Sequence, residues 1–439
     1  MPLHVWLPSA HANAPSHVSA VMSGVMLKMG VYGIIRMTAL LPVPAIWWGG
    51  TLLILGTITG VAGIAFAIGQ NDIKRMLAYS SIENIGIIMI GLGLALLGRS
   101  LNQPEWILLG LGGSLLHVWN HSLFKSLLFF NAGAIIHAAH TRNIDQMGGL
   151  AKRMPRVMVL FVVGAVAICA LPPLNGFASE WLIYNGLFST LGFGSEPGFP
   201  VAAIAAVPLA MIGALAVACF VKMLGTVFLG TGRCESVNHA HDPSASMIIP
   251  MAAMAIGCIC IGLFPMIAIG GLDNAARMWA SLPDQTVLLT TVAPLGWITK
   301  MNLVFIVLVG MIALALKKLI RAKVISEAGT WDCGYAQPTT RIQYTGSSFG
   351  QILVNLFAFI LWPKTHWPAI RGFFPRAAHF KIIVPDTVLD RLVLPLFNTA
   401  GRYLPSLRVL QQGQTHFYVL YILIIVIILL ICGTFGVQS

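Results

Sequence analysis

The stretch Val18–Leu41, VSAVMSGVMLKMGVYGIIRMTALL, is apolar over the length of a membrane-crossing helix and carries Lys28 near its middle. About 20 such residues cross a bilayer as a helix. Lys28 stands roughly 15 Å of helix from either end, farther than a lysine side chain can snorkel. An ionisable group at that depth costs roughly 2.5–3.5 kcal/mol on insertion scales. Lys28 must therefore face protein or water, either in an ion pair or on a path along which charge moves.

The rest of the chain has the same character. Its 439 residues are 57% hydrophobic and 9% charged, against about 25% charged in a soluble domain. This composition reads as an all-α polytopic membrane protein. Apolar runs fall at 17–41, 46–69, 76–98, 106–138, 155–172, 201–229, 247–271, 301–320 and 416–434. A shorter run, 177–191, follows the break Pro172-Pro173-Leu174-Asn175-Gly176. Proline removes a backbone donor and stops the helix. The piece beyond it reads as part of a discontinuous membrane helix, of the kind found where backbone is buried in protein or lines a water cavity. The expectation is about 9–11 transmembrane helices.

The formal charge of +12 sits mainly in short loops between apolar runs. The most basic connectors are Arg142–Arg156, Lys317–Lys323 and Lys74-Arg75, which the positive-inside pattern assigns to the cytoplasm. The chain is thus expected to be multi-pass in the cell inner (plasma) membrane. It has no basic soluble face for nucleic acid. Cys169, Cys219, Cys258, Cys260 and Cys432 lie in apolar runs and read as packing residues. Cys234 and Cys333 lie in polar connectors, and no spacing resembles a zinc or iron–sulfur site. Met1-Pro-Leu-His-Val-Trp-Leu-Pro8 is neither a signal peptide nor a spanning helix and reads as the interior of a longer pattern. The layout expected is a transmembrane domain over 1–323, a polar, interfacial segment over 324–415 and a C-terminal transmembrane helix over 416–439.

Other ionisable groups share the apolar runs. His117, His121 and Lys125 are spaced four apart, so they share one helix face with a rise of about 6 Å per step. Side chains and a water can bridge that distance. Histidine shuttles protons near neutral pH, and a buried lysine releases its proton readily. The pattern is that of a proton wire; the plainer reading is polar residues holding helices together. A zinc helix would need a Glu directly after the first histidine, where Val118 stands, so no metal is expected. Glu83 lies one to two turns inside its run and would partner a lysine or sit in a hydrated cavity. Glu180 follows the proline break, as an outlet carboxylate or as a cap on the half-helix. Lys222 is near enough to a helix end to snorkel, or belongs to the path. Arg36 reads as an interface anchor. No phosphate-binding loop, nucleophile motif or redox-cofactor motif is present, so no catalytic residue or cofactor is expected on this chain.

Taken in order, Pro2–His11, Val25–Arg36, Asp72–Ser80, His117–Lys125 and Pro172–Glu180 resemble the antiporter-like proton-translocating subunits of complex I and its relatives. Pro172–Tyr184, Leu150–Pro155 and Trp331–Tyr335 further resemble the large membrane subunit of formate hydrogenlyase and hydrogenase-4 type complexes. The resemblance implies an antiporter-like inverted-repeat fold and a central chain of charged residues that carries protons. Lys28 then matches the family's central-axis lysine. His117, His121 and Lys125 match its bridging stripe, and Glu180 its terminal-channel position. The family has further helices before the Pro-Leu-His-Val-Trp-Leu-Pro motif, with an essential glutamate and lysine, so the N-terminal helices and first half-channel are expected to be absent from this chain. The function implied is that of a proton-translocating membrane subunit of a hydrogenase or complex-I-like NADH-quinone oxidoreductase. It would move protons, or sodium, while redox chemistry proceeds on partner subunits. The alternatives are a subunit of a multi-subunit cation/proton antiporter, and a structural membrane anchor.

Overall fold

The computed structural model describes residues 1, 3–41, 43–192, 200–283, 287–321, 340, 342–368, 372, 380–411 and 413–436. Trp331–Tyr335, with Cys333, lies outside them. The described chain is almost wholly helical. Among the described residues, eight helices are long and apolar enough to cross a membrane.

A short helix α1, Trp6–Asn13, opens the chain and is followed by α2, Ser16–Ala39. Within α2 the residues Met22–Met26 form a π turn. Then come α3 (Ile46–Ile68), α4 (Ile73–Ser100) and α5 (Pro104–Ala139). Asp72 caps α4 by accepting from the backbone N–H groups of Lys74 at 2.9 Å and Arg75 at 3.1 Å, as an N-cap carboxylate does. Pro104 starts α5 at a position where its missing donor costs nothing.

Helices α3 and α4 approach closely through glycine. A Cβ at Gly49 would lie 2.8 Å from Gly93 O, one at Gly56 2.8 Å from Gly86 O, and one at Gly63 2.7 Å from Glu83 N. Small residues let membrane helices approach backbone to backbone, where van der Waals packing replaces the hydrophobic drive that lipid cannot supply. The result buries nearly the whole of α4, including Glu83 and Asn84.

The run expected at 155–172 gives α6, Pro155–Ile168, which stops short of Pro172-Pro173. Ala170 takes a left-handed φ of 50°, and the chain restarts as α7, Asn175–Ser189. The break therefore stands as expected. Helix α8 is Ala206–Phe228. The run 247–271, expected as one span, is two helices, α9 (Ala245–Leu263) and α10 (Met266–Ala280). Pro265 is the cause, since its ring and missing N–H cannot continue the ladder of α9. Gly262 fits against the backbone of Pro173–Asn175, so the two breaks sit together. Asp273 and Arg277 pair at 2.7 Å on α10, and Trp279 Nε1 donates to Ile35 O at 3.0 Å, tying α10 to α2. Helix α11, Leu295–Arg321, is exposed along its apolar length.

Beyond it, α12 (Gly346–Leu356) packs on α3 and α8. Strands β1 (Lys364–His366) and β2 (Lys381–Ile383) pair antiparallel, Thr365 opposite Ile382. Cys169, Cys219 and Cys258 are buried as packing residues, whereas Cys260 and Cys432 face outward.

The chain divides into two compact units, Met1–Pro385 and Asp386–Ser439. The second contains α13, Leu394–Tyr403, and the apolar helix α14, Thr415–Gly436.

Candidate functional site

Helices α2, α4, α5 and α7 bring six of the seven candidate path residues into one buried region. Lys28, Glu83, His117, His121, Lys125 and Glu180 are all buried. They neighbour one another electrostatically: Lys28 with His117, His121 and Lys125, and Glu83 with Lys125 and Glu180.

The π turn of α2 explains how Lys28 is held. Its Nζ donates back to Ser23 O, inside that turn. A π turn breaks the regular i→i−4 ladder and leaves carbonyls available, and such turns recur at functional sites. Ser23 Oγ in turn meets Ser81 Oγ at 2.8 Å, joining α2 to α4. Lys28 therefore faces protein, as its depth demands.

On α5 the three titratable side chains are held differently. His117 Nε2 meets Asn84 Oδ1 on α4 at 3.1 Å, and its Nδ1 meets Ser179 Oγ on α7 at 3.0 Å. Lys125 Nζ donates to Ser80 Oγ on α4 at 2.6 Å. His121 makes no hydrogen bond at either ring nitrogen among the described residues and lies edge-on to Phe124, centroids 5.5 Å apart. Orphaned nitrogens at full burial are uncommon in proteins, and ordered water is the usual partner where the surroundings are polar.

The hydrogens on His117 follow from its neighbours. Asn84 Nδ2 donates to Ser80 O at 2.8 Å, which turns Oδ1 toward His117, so Nε2 carries the proton. Nδ1 of the neutral ring then accepts from Ser179. Ser179 Oγ also lies 3.0 Å from Gly176 O, and accepts from Asn120 Nδ2 at 3.0 Å. A hydroxyl has one proton and two lone pairs. That proton goes to His117 when the ring is neutral and to Gly176 O when the ring is charged. Both charge states of His117 are thus hydrogen-bonded, with only a hydroxyl rotation between them.

Glu83 has one oxygen without a hydrogen-bond partner and makes no ion pair within 4 Å among the described residues. Lys125, its electrostatic neighbour, donates to Ser80, so the lysine pairing expected as one of two readings is not formed there. Glu180 lies in the second turn of α7, past the N-terminal N–H groups that its capping reading requires. Lys222 stands apart. It does not snorkel: it is buried, and Nζ donates to Ile68 O at 2.7 Å, Gln70 O at 2.8 Å and Asn71 Oδ1 at 3.3 Å. There it satisfies the open carbonyl end of α3, where a cation is favoured. Arg36 is exposed on α2.

The sequence reading passed over the neutral members of this network: Ser23, Ser80, Ser81, Asn84, Asn120, Asn175 and Ser179. Asn120 and Asn175 bind each other twice, through Asn120 Nδ2 to Asn175 O at 2.7 Å and Asn175 Nδ2 to Asn120 Oδ1 at 3.1 Å. A signal existed, since Ser80 with Asn84 and Asn175 with Ser179 repeat the four-residue spacing of the α5 stripe. No group of three or more metal-ligating side chains occurs among the described residues.

The family described as NADH:quinone oxidoreductase/Mrp antiporter, TM, matches residues 1–193, which contain this region. Hydrogenase-4 component B of Escherichia coli (strain K12) is 34% identical over 98% of this chain and 66% of its own length. Formate hydrogenlyase subunit 3 of the same strain is 38% identical over 82% of this chain and 58% of its own. The chain thus spans about two thirds or less of these relatives. A chain of the membrane-bound sulfane sulfur reductase, an archaeal respiratory membrane complex, superposes with a TM-score of 0.71 at 25% identity, over 98% of this chain and 65% of that one. With the fold and the matched region in agreement, this chain belongs to the antiporter-like membrane subunits of the NADH:quinone oxidoreductase and Mrp antiporter family.

Proposed function

We propose that this chain is the proton-translocating membrane subunit of a hydrogenase of the formate hydrogenlyase or hydrogenase-4 type, or of a complex-I-like oxidoreductase. Redox chemistry on partner subunits drives it, in the inner (plasma) membrane. The observation that carries this reading is the buried row of ionisable groups across α2, α4, α5 and α7, with His117 hydrogen-bonded in either charge state. A charge that moves near Lys28 changes the proton affinity of its neighbours. Protons then redistribute through His117, His121, Lys125 and Glu83 toward Glu180. Moving one charge against 100 mV costs about 2.3 kcal/mol, a scale that buried Coulomb interactions reach. On this reading the basic connectors face the cytoplasm, and Lys222 holds helices together.

The test is proton movement in inverted membrane vesicles that carry the assembled complex. Lys28→Ala and Glu180→Gln are each expected to lower proton uptake per redox turnover roughly ten-fold or more, with the complex still assembled. Wild-type uptake in both variants would leave the chain as a structural anchor. Acceleration of proton movement by added sodium would favour cation exchange.

A further inference from the structure

His11 is a buried titratable side chain that this row leaves out. It lies on α1, wholly buried, and neither ring nitrogen has a hydrogen-bond partner among the described residues. Its ring stacks on Phe129 of α5, centroids 4.7 Å apart and planes 14° from parallel. Phe129 follows Lys125 by four residues, so it holds the next place on the stripe His117, His121, Lys125. An apolar ring ends the stripe on α5, and an imidazole from α1 lies over that ring. Buried nitrogens are mostly satisfied in native interiors, and two bare ones on a single ring call for an explanation.

Toward the surface, the backbone just after His11 is held by two cations. Lys74 Nζ donates to Ala14 O and Arg142 donates to Ala12 O. Arg142 also pairs with Asp72 at 3.4 Å. Arg142 and Asp72 line a polar cavity of ≈ 910 Å³ with Asn71, Arg75, Asn143 and Asp145. This cavity lies at the end of the bundle that carries the basic connectors. The titratable groups near His11 are Lys74 from α4 and Lys125 from α5. The residue after His11 is thus tied through Arg142 to the charged cavity, while the His11 ring lies over Phe129, one turn beyond Lys125.

We propose that His11 is the proton-uptake residue of this chain, taking protons from the cavity at Arg142 and Asp72 and passing them to Lys125. One ring nitrogen gains a proton from cavity water while the other gives one up toward Lys125, so the imidazole returns to neutrality with its tautomer exchanged. Waters at the two orphaned nitrogens complete the contacts. The proposal rests on the proton-conducting reading above.

Two measurements test it. His11→Phe keeps the aromatic stack on Phe129 and removes the titratable ring. In the assembled complex it is expected to cut proton uptake per redox turnover roughly ten-fold and to flatten the pH dependence of uptake. Lys125→Ala is the companion variant. If Lys125→Ala loses uptake while His11→Phe keeps wild-type uptake, the His11 assignment is overturned and the conducting reading survives. If both keep wild-type uptake, both readings fall. The second measurement uses the unmodified complex: hydrogen–deuterium exchange at the imidazole C2 position, followed by mass spectrometry. Exchange at His11 that depends on pH supports the proposal, because exchange needs water and protons at the ring. No exchange at His11, with exposed His137 exchanging normally, would overturn it even if His11→Phe fails to assemble.

Discussion

His117 Nδ1 and Ser179 Oγ lie 3.0 Å apart, joining α5 to α7 just beyond the Pro172-Pro173 break. The contact has two forms, set by which acceptor receives the single Ser179 proton. In one the ring is neutral and accepts; in the other it is charged and donates, and the hydroxyl turns to Gly176 O. His117 therefore keeps both ring nitrogens hydrogen-bonded in either charge state.

Ser179→Ala removes this second partner of His117. A buried nitrogen left without one costs about 1–3 kcal/mol. That penalty falls unequally on the two charge states, so proton uptake per turnover is expected to drop roughly ten-fold or less. Ser179→Thr keeps the hydroxyl and should restore most of it. Uptake assays on the assembled complex with both variants decide the point, and equal losses in Ala and Thr would argue for packing alone.

Gly63 sets the depth of Glu83. A Cβ there would come 2.7 Å from Glu83 N and 3.0 Å from its Cα, both backbone atoms that cannot swing aside. Gly63→Ala must part α3 and α4 locally, at a cost of about 1–3 kcal/mol, the range for overpacked cores. The expected outcome is a lower thermal midpoint for the detergent-solubilised complex together with reduced proton uptake. Gly213, with open space around its Cα, is the control whose alanine variant should behave as wild type.

Lys222→Met tests whether that lysine conducts or holds. It would leave the carbonyls of Ile68 and Gln70 without their donor, a loss of about 1–3 kcal/mol per buried group. The expected result is reduced thermal stability with proton uptake per assembled complex near wild type. A stable complex that has lost uptake would place Lys222 on the proton path instead.

Asp273 supports the turn after α10 twice over. It pairs with Arg277 at 2.7 Å and accepts from Leu289 N at 2.9 Å. Removing one partner of such a mostly buried pair costs about 3–5 kcal/mol. Asp273→Ala is therefore expected to lower the yield of folded protein sharply, and Asp273→Ala with Arg277→Met to recover part of it. Membrane yield and thermal midpoint are the readouts.

Much of this was legible in the chain itself. The depth of Lys28, the four-residue spacing of His117, His121 and Lys125, and the proline break before Glu180 each follow from local geometry: hydrocarbon thickness, the pitch of a helix and the missing donor of proline. Spacing along one helix is a local property, so the sequence determines it. Pro265 was equally visible, yet the run 247–271 reads as one span because hydropathy averages over a single proline.

What the sequence left open was which helix faces which. The two even-handed cases, Glu83 and Lys222, differ only in their surroundings. Lys222 meets the carbonyl end of α3 and is fully hydrogen-bonded, while Glu83 meets Gly63 and keeps an oxygen unpaired. The neutral partners were hidden for the same reason. Asn84, Asn120 and Ser179 look like ordinary polar residues until α4, α5 and α7 converge on His117. His11 is the extreme case, since the Pro2–His11 stretch gives it no role of its own until Phe129 lies beneath it. The sequence by itself determined that this is a bundle of membrane helices with charge at mid-depth, because burying charge in lipid has a cost that local composition reveals. Only the tertiary structure decided which charges meet, because hydrogen bonds between helices depend on how their faces turn toward one another, and no local pattern encodes that.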